Sequence, residues 1–396
     1  MPWNKTLLIT LCLYCLCFQV KSIDLSKLDF SQNYKKNGVR LEHNLSQSDT
    51  TYRLLLSIDY TRYSSTDQIE NLTLLSQEKF SSSKDQKVTP SYQNTKRLVP
   101  GEHFEFRFSV PNEHNYLVIQ FNYQNTIYYY DIAVNESLAF PLATFSCMRL
   151  EDSAIGPLFH LGDSVHLSSL GVVDQTYYLY QYTTPFKHAL PPMVTSNFDT
   201  TNQILDIQKS AIPQNAFKLD TIKSLYFIQT DTTTNTGTMC MSQSSSYPKL
   251  TQIEEVIAPL VYISTSEEYQ TMLEAEDPKA AFEDFWLKII PAKNMAAGTI
   301  KAFYRNVQDA NELFTSYKEG WKMDRGMIYL IFGPPERVER EEDKEIWKYS
   351  RYEGEIKFTF VKQINLFTQF HYVLEREKSY SGIWFSEIKK WRQGNI

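Results

Sequence analysis

The segment that most constrains this chain runs from Gly320 to Glu339 and reads GWKMDRGMIYLIFGPPERVE. Gly320 is expected to close the helix before it, because glycine tolerates the left-handed conformation at a helix end. Trp321 follows directly and is too large to leave in water, so it should pack under that helix end. Asp324 and Arg325 place two adjacent charges in a turn, and Gly326 marks a positive φ or a close backbone approach. Met327 to Phe332 is a short apolar run that reads as a strand buried on both faces. Gly333, Pro334 and Pro335 then end it, since proline has no N–H to give a ladder and fixes its own φ.

Gly320, Trp321, Asp324, Arg325, Gly326, Gly333, Pro334 and Pro335 together resemble the signature of the GWxTD domain family, bacterial, Bacteroidetes-type envelope proteins of unknown function. That signature is Gly-Trp-x-Thr-Asp, then Arg-Gly, an apolar run and Gly-Pro-Pro. Met323 stands where the family usually has Thr, so any role of that hydroxyl is lost here. The likeness extends through VYISTSEEY, AFEDFW and FYRNVQDANELF upstream and EIWKY downstream, over roughly residues 260–375. It implies an envelope protein and brings no activity with it.

The N-terminus reads as an export signal over residues 1–22. Lys5 gives a positive start, Leu7 to Phe18 an apolar core, and Val20-Lys21-Ser22 a small-residue cleavage pattern. The core is too short for a membrane span, which takes ~20 residues. Cys12, Cys15 and Cys17 follow Leu11, Tyr14 and Leu16, not the small residue that a lipid-anchored precursor carries before its Cys. The expected location is therefore the periplasm or the outer-membrane surface, by plain export rather than a lipid anchor. No transmembrane segment is expected in the mature chain. After cleavage two cysteines remain, Cys147 and Cys240. They allow one bridge in an oxidising compartment, or two separate buried thiols.

The 396 residues suffice for two or three domains. Tyr 26 and Phe 24 against Gly 13 point to strands with large cross-strand side chains. His103 to Val110 alternates cleanly: Phe104, Phe106, Phe108 and Val110 share one face, Glu105, Arg107 and Ser109 the other. Tyr52–Tyr60, Tyr116–Tyr123 and Thr126–Val134 behave alike, separated by polar turns such as Ser81 to Gln93. The same grammar recurs more weakly at Val165–Ser168, Tyr177–Tyr182, Ser224–Gln229 and Thr238–Met241, with an exposed hairpin loop at Asp231–Gly237. The fold class expected is thus multidomain: two antiparallel β-sandwich (Ig-like) domains, 23–137 and 138–248, then an α+β domain, 249–396.

In that last domain helices are expected at Ser264–Ala275 and from Pro278, which sits at a favoured first helical position. Phe282, Phe285, Trp286 and Ile289 form the stripe of the second. A third helix, Ala297 to Glu319, carries Ile300, Phe303, Val307, Ala310 and Phe314. The charged run Glu336 to Glu345 reads as a solvated hairpin tip. Strands follow at Glu345–Tyr349, Glu355–Val361 and Phe370–Leu374, making a small antiparallel sheet. The tail around Ile383, Trp384 and Ile388 should dock back.

A net charge of -6 argues against nucleic acid as a partner. No nucleophile elbow, zinc-protease, phosphate-loop or paired-cysteine motif occurs, so no cofactor or metal is expected, and catalytic residues stay unassigned. His160 and His166 have no helical metal-site spacing. Only Asp324 and Arg325 stand out for polar function: a pair beside Trp321 orienting a ligand carboxylate or polymer end, or a structural pair that fixes a corner. Two functions remain in play: a non-enzymatic interaction or assembly module with an envelope protein partner, or an envelope hydrolase or glycan-processing enzyme using a carboxylate pair ~5–9 Å apart.

Overall fold

The first eight strands are β1 (Arg40–Ser48), β2 (Thr51–Asp59), β3 (Glu70–Gln77), β4 (Asp85–Lys87), β5 (Tyr92–Leu98), β6 (Gly101–Phe108), β7 (Tyr116–Tyr123) and β8 (Thr126–Ala133), and alternation of apolar and polar residues is clearest in β6. They form two antiparallel sheets, β1-β2-β6-β5 and β4-β3-β7-β8, an immunoglobulin-like order. Leu54, Leu56, Ile58, Phe104, Phe106 and Phe108 of one sheet meet Leu117, Ile119 and Phe121 of the other in one apolar core. The polar run Ser81 to Gln93 is more than a turn, since it contains β4. The computed structural model describes residues 23–35, 38–60, 69–82, 84–98, 101–134, 143–149, 156–170, 175–195, 206–212, 215–351 and 354–395. The expected export segment and the expected boundary at 137/138 lie outside them.

The next strands are β9 (Phe145–Arg149), β10 (Leu158–His160), β11 (Ser164–Ser169), β12 (Tyr177–Tyr182), β13 (Ile207–Ile212), β14 (Ala216–Lys218), β15 (Ser224–Gln229) and β16 (Thr238–Gln243). They make a sheet β14-β11-β9 and a sheet β10-β16-β15-β12-β13, in which only β10 and β16 pair in parallel. Phe145, Cys147, Val165 and Leu167 face Tyr177, Tyr226, Ile228 and Cys240 across a shared core. Cys147 and Cys240 are free, buried thiols here, not a bridge. They touch, and burial pushes the Cys240 thiol up, as does its hydrogen bond with Cys147. His160 and His166 lie on different sheets.

The remainder is α+β. Its helices are α1 (Ile253–Ile257), α2 (Ser266–Glu274), α3 (Pro278–Ile289), α4 (Lys293–Phe314), α5 (Asp324–Phe332) and α6 (Ser381–Gln393). Its antiparallel sheet runs β17 (Arg337–Arg340), β18 (Lys344–Arg351), β19 (Gly354–Lys362) and β20 (Tyr372–Leu374). Local chemistry sets the helix starts: Thr265 and Glu268 form a capping box on α2, and Asp277 caps α3 ahead of Pro278. Phe285 and Trp286 are buried, and Trp384 and Trp391 dock α6 back onto the core. Among the described residues no helix is long and apolar enough to cross a membrane.

Two sequence expectations are overturned at the defining segment. The apolar run 327–332 is helical, forming most of α5, and every residue from Gly326 to Phe332 is buried. A short apolar run carries no period that separates strand from helix. What decides is the supply of partners, because a buried helix end leaves its last carbonyls without intrahelical bonds. Asn306 Nδ2 donates to Leu330 O at 3.0 Å, Trp391 Nε1 to Ile331 O at 2.9 Å, Arg351 Nη2 to Phe332 O at 3.3 Å and Tyr349 OH to Gly333 O at 2.9 Å. Four distant residues thus close one helix. The second correction is the stop of α4, which ends at Phe314, five residues short of the expected Glu319. Thr315 leaves the helix with ψ 130, and its hydroxyl donates back to Asn311 O at 2.6 Å.

Gly320 does not close the helix before it, whereas Gly326 makes the close backbone approach that its place in the sequence implies. Gly320 opens a short 3-10 turn, Gly320–Lys322, and it is Gly333, at φ 76, that closes a helix. A Cβ on Gly320 would lie 2.0 Å from Ala310 O, and one on Gly326 would lie 1.8 Å from Gly320 O. α4, the turn and α5 therefore pack backbone on backbone, which only glycine permits.

The first described residues bond to the first sandwich, Ile23 N donating to Asp85 Oδ2 at 3.2 Å and Asn33 Nδ2 to Tyr129 O at 3.3 Å, but they add no strand to its sheets. Residues 23–34 form two 3-10 turns against β17, where Phe30 N donates to Val338 O at 2.9 Å and Val338 N donates to Asp29 Oδ1 at 3.0 Å. Leu25, Phe30 and Tyr34 share one core with α4, α5, β18 and β19. Tyr116, Val118 and Ala133, from the outer side of the β3-β7-β8 sheet, join it too.

Candidate functional site

The defining segment builds the wall of a site. Trp321 is 3% exposed, lying edge-on to Tyr262 at 6.0 Å and stacked with His188 at 6.3 Å. His188 belongs to a loop from the second sandwich that lies over the segment, where Ala189 N donates to Lys322 O at 2.9 Å. Asp324 and Arg325, adjacent in sequence, are not paired with each other. Asp324 Oδ2 accepts from Leu374 N at 2.9 Å, and its carboxylate bridges to Arg376. Arg376 in turn donates to Leu190 O at 3.0 Å, fixing the same loop. Asp324 thus joins the start of α5 to β20. Its place in the first turn also suits the positive end of the helix dipole.

Arg325 points the other way. Its guanidinium stacks on Tyr372 at 4.3 Å and Phe314 at 5.3 Å, and donates to Phe370 O at 3.3 Å. It also reaches Glu345 at 3.5 Å. Glu345 has no exposed side-chain surface, yet it lies in the run that reads as a solvated tip. That expectation fails for Arg340 as well, whose side chain is 14% exposed. Glu345 accepts from Arg340 Nε at 2.7 Å, from Trp347 Nε1 at 2.6 Å and from Tyr34 OH at 2.8 and 2.9 Å. Burial alone would raise its carboxyl; Arg340, Arg325 and the neutral donors hold it below the usual carboxylate range. Burial pushes the Tyr34 hydroxyl up to about 12. Arg340 completes the cluster, donating to Asp131 on β8 at 2.9 Å and to Tyr34 OH at 2.7 Å, with Phe30 stacked at 4.6 Å.

Asp131, Tyr34 and the α+β charges come from three parts of the chain, and beside them opens a cleft of about 620 Å³. Arg40, Glu42, His43 and Asp59 line it from the β1-β2 edge, and Leu158 and Thr238 from the second sandwich. The end of α4, Arg325, Arg340 and the loop Leu366–Phe370 close it from the α+β side. His43 meets Phe370 edge-on at 5.4 Å. Burial draws His43 down to about 4, so the imidazole is neutral at pH 7. The protein packed around Glu42, with the Asp59 charge beside it, raises the Glu42 carboxyl to about 7. The Glu42 side chain is open to the cleft, so water there screens part of that rise.

Of the residues singled out by sequence, only Arg325 reaches the cleft; Trp321, Asp324 and the glycines and prolines shape its support. Glu345 could have been found from alternation, because it shares a strand face with Trp347 and Tyr349, both buried. Tyr34, Arg40 and Asp131 carry no local signal, since each matters through residues far along the chain.

Curated proteins offer no match to the chain. The GWxTD domain family model matches residues 224–393. The match begins at the first residue of β15, whose Phe227 meets Phe367 of the cleft loop edge-on at 5.9 Å. With the sequence signature placed on the α4-α5 corner, this is a GWxTD domain-containing protein.

Proposed function

We propose that the chain is an exported, non-enzymatic interaction or assembly protein of the cell envelope, whose partner enters the cleft where the two sandwiches meet the GWxTD domain. The observation that carries this reading is the state of the charged wall. Arg325, Arg340, Glu345 and Asp131 are bonded to one another and to Tyr34. Such a network holds shape and leaves no poised acid, base or nucleophile among its members. The export reading rests on the pattern of residues 1–22. The test is affinity capture from envelope fractions with wild type and with Ser57→Trp, which fills the cleft from its β2 wall. A partner lost with Ser57→Trp supports the reading. A partner set unchanged by it, with the variant folded, overturns the cleft as the site.

A second reading has one observation of its own. Glu42 and Asp59 line the same cleft and interact, and Glu42 is raised toward neutrality as a general acid would be. Released sugars from envelope glycan, abolished by Glu42→Gln, would favour a glycan-processing enzyme. No product from wild type would remove it.

A further inference from the structure

The first residue after the expected export signal is held by both its side chain and its backbone. Ile23 is 8% exposed and shares a core with Leu25, Phe30 and Tyr34. Its backbone N donates to Asp85 Oδ2 at 3.2 Å, across 62 positions of chain. Asp85 on β4 lies opposite Gln77 on β3, Gln77 opposite Tyr116 on β7, and Tyr116 opposite Ala133 on β8. Residues opposite one another share a face of the sheet. Asp85 thus ends the row whose Tyr116 and Ala133 belong to the same core as Ile23. The acids of the N-terminal segment itself are engaged elsewhere. Asp24 accepts from Ser26 and pairs with Lys27, and Asp29 accepts from Ser31 N and Val338 N. Asp85 is the carboxylate placed at Ile23 N.

Cleavage after Ser22 would change the donor at that point. Hydrolysis of the Ser22–Ile23 peptide bond by an endopeptidase consumes one water and leaves a carboxylate on Ser22 and an ammonium on Ile23. The amide N–H that meets Asp85 is neutral; the ammonium that replaces it is charged. An α-amino group titrates at about 7.7–8.0, so it carries its extra proton at pH 7. With both partners charged, the hydrogen bond becomes shorter and stronger. Exposed ion pairs contribute little, because two long side chains must be held in one geometry. Here one partner is backbone, fixed by a buried Ile side chain, and the other is the short side chain of Asp85 on a strand.

We propose that Asp85 is the socket for the α-amino group that cleavage after Ser22 creates, so that processing locks residues 23–34 between the first sandwich and the GWxTD core. This rests on the export reading of residues 1–22, and the experiment separates the two. The chain 23–396 is made to begin at Ile23 by trimming a removable tag, and a second form keeps Ser22, which moves the ammonium one residue away. Both are also made with Asp85→Asn, which keeps an oxygen for the N–H and removes the charge. The form that begins at Ile23 should melt at least about 2 °C above the form that keeps Ser22, with slower amide exchange over residues 25–34. Asp85→Asn should abolish both differences. Equal melting and exchange of the two forms, or a difference that survives Asp85→Asn, would overturn the proposal. N-terminal sequencing of the chain recovered from envelope fractions tests its premise. Ile23 as the first residue is expected; any other start overturns the proposal, and Met1 overturns the export reading with it. A start at Ile23 without an Asp85-dependent difference rejects the socket and keeps export.

Discussion

The first sandwich and the GWxTD domain stabilise their centres in opposite ways. The core between β2, β6 and β7 is apolar, built from neighbouring strands that meet by alternation alone. The core around α5 contains a charged cluster and borrows Leu25, Phe30, Tyr34, Tyr116 and Val118 from elsewhere in the chain. A sandwich of this kind is specified by pattern. A buried helix is specified by its surroundings, because every polar group at its ends needs a named partner. The difference teaches that the signature residues encode contact geometry, with partners both near, as Asn311 is to Trp321 at 10 positions along the chain, and far, as Tyr34 is to Arg325 at 291.

The contrast is broken first at the glycines. Gly326→Ala puts a Cβ against the Gly320 carbonyl, which belongs to backbone and has nowhere to go. The expected loss exceeds about 4 kcal/mol, with the α+β domain unfolded and the amides of β2 and β6 still protected from exchange. Trp321→Ala should follow at about 3–5 kcal/mol, as loss of a large buried aromatic does. Denaturant titration measures it, and wild-type stability would show that the tryptophan is surface. Asp324→Asn keeps the acceptor for Leu374 N and loses the charge opposite Arg376, so the melting midpoint should fall modestly while partner capture survives. An unchanged midpoint with lost capture would make Asp324 a binding residue.

The smallest effect is in pH. The hydrogen bonds from Arg392 hold Glu268 down to about 2, below its ordinary 4.5. A depressed acid stabilises the fold above its unfolded value, and that contribution is lost as pH falls from 4.5 toward 2. Glu345, also depressed, loses stability in the same direction. In the first sandwich Glu42 is raised and His43 lowered, so as pH falls one favours folding and the other opposes it. The α+β domain should therefore weaken in acid before the sandwich does. Glu268→Gln should flatten part of that acid slope, and a slope unchanged by it would remove the Glu268–Arg392 pair as its source.

Much of this was legible in the sequence. β7, β12 and β15 match the alternating runs residue for residue, and Thr265, Asp277 and Pro278 mark helix starts by capping chemistry. The run MIYLIF was not legible as a helix, because its outcome depends on Asn306, Arg351, Tyr349 and Trp391. Glu345 was legible only by reading its strand phase over its charge. Tyr34 was invisible, since its hydrogen bonds to Glu345 cross 311 positions of chain.

That long-range bond gives the most direct measurement. Tyr34→Phe removes one hydroxyl shared by Glu345, Arg340 and Arg325 and leaves the ring in place. Hydrogen bonds to charged groups contribute about 1.5–3 kcal/mol each way. Amide hydrogen exchange of the full-length variant should rise across 324–332 and 344–351, with β2 and β6 unchanged. Exchange that rises in β2 and β6 instead, or nowhere, would contradict the claim that the N-terminal segment completes the GWxTD core.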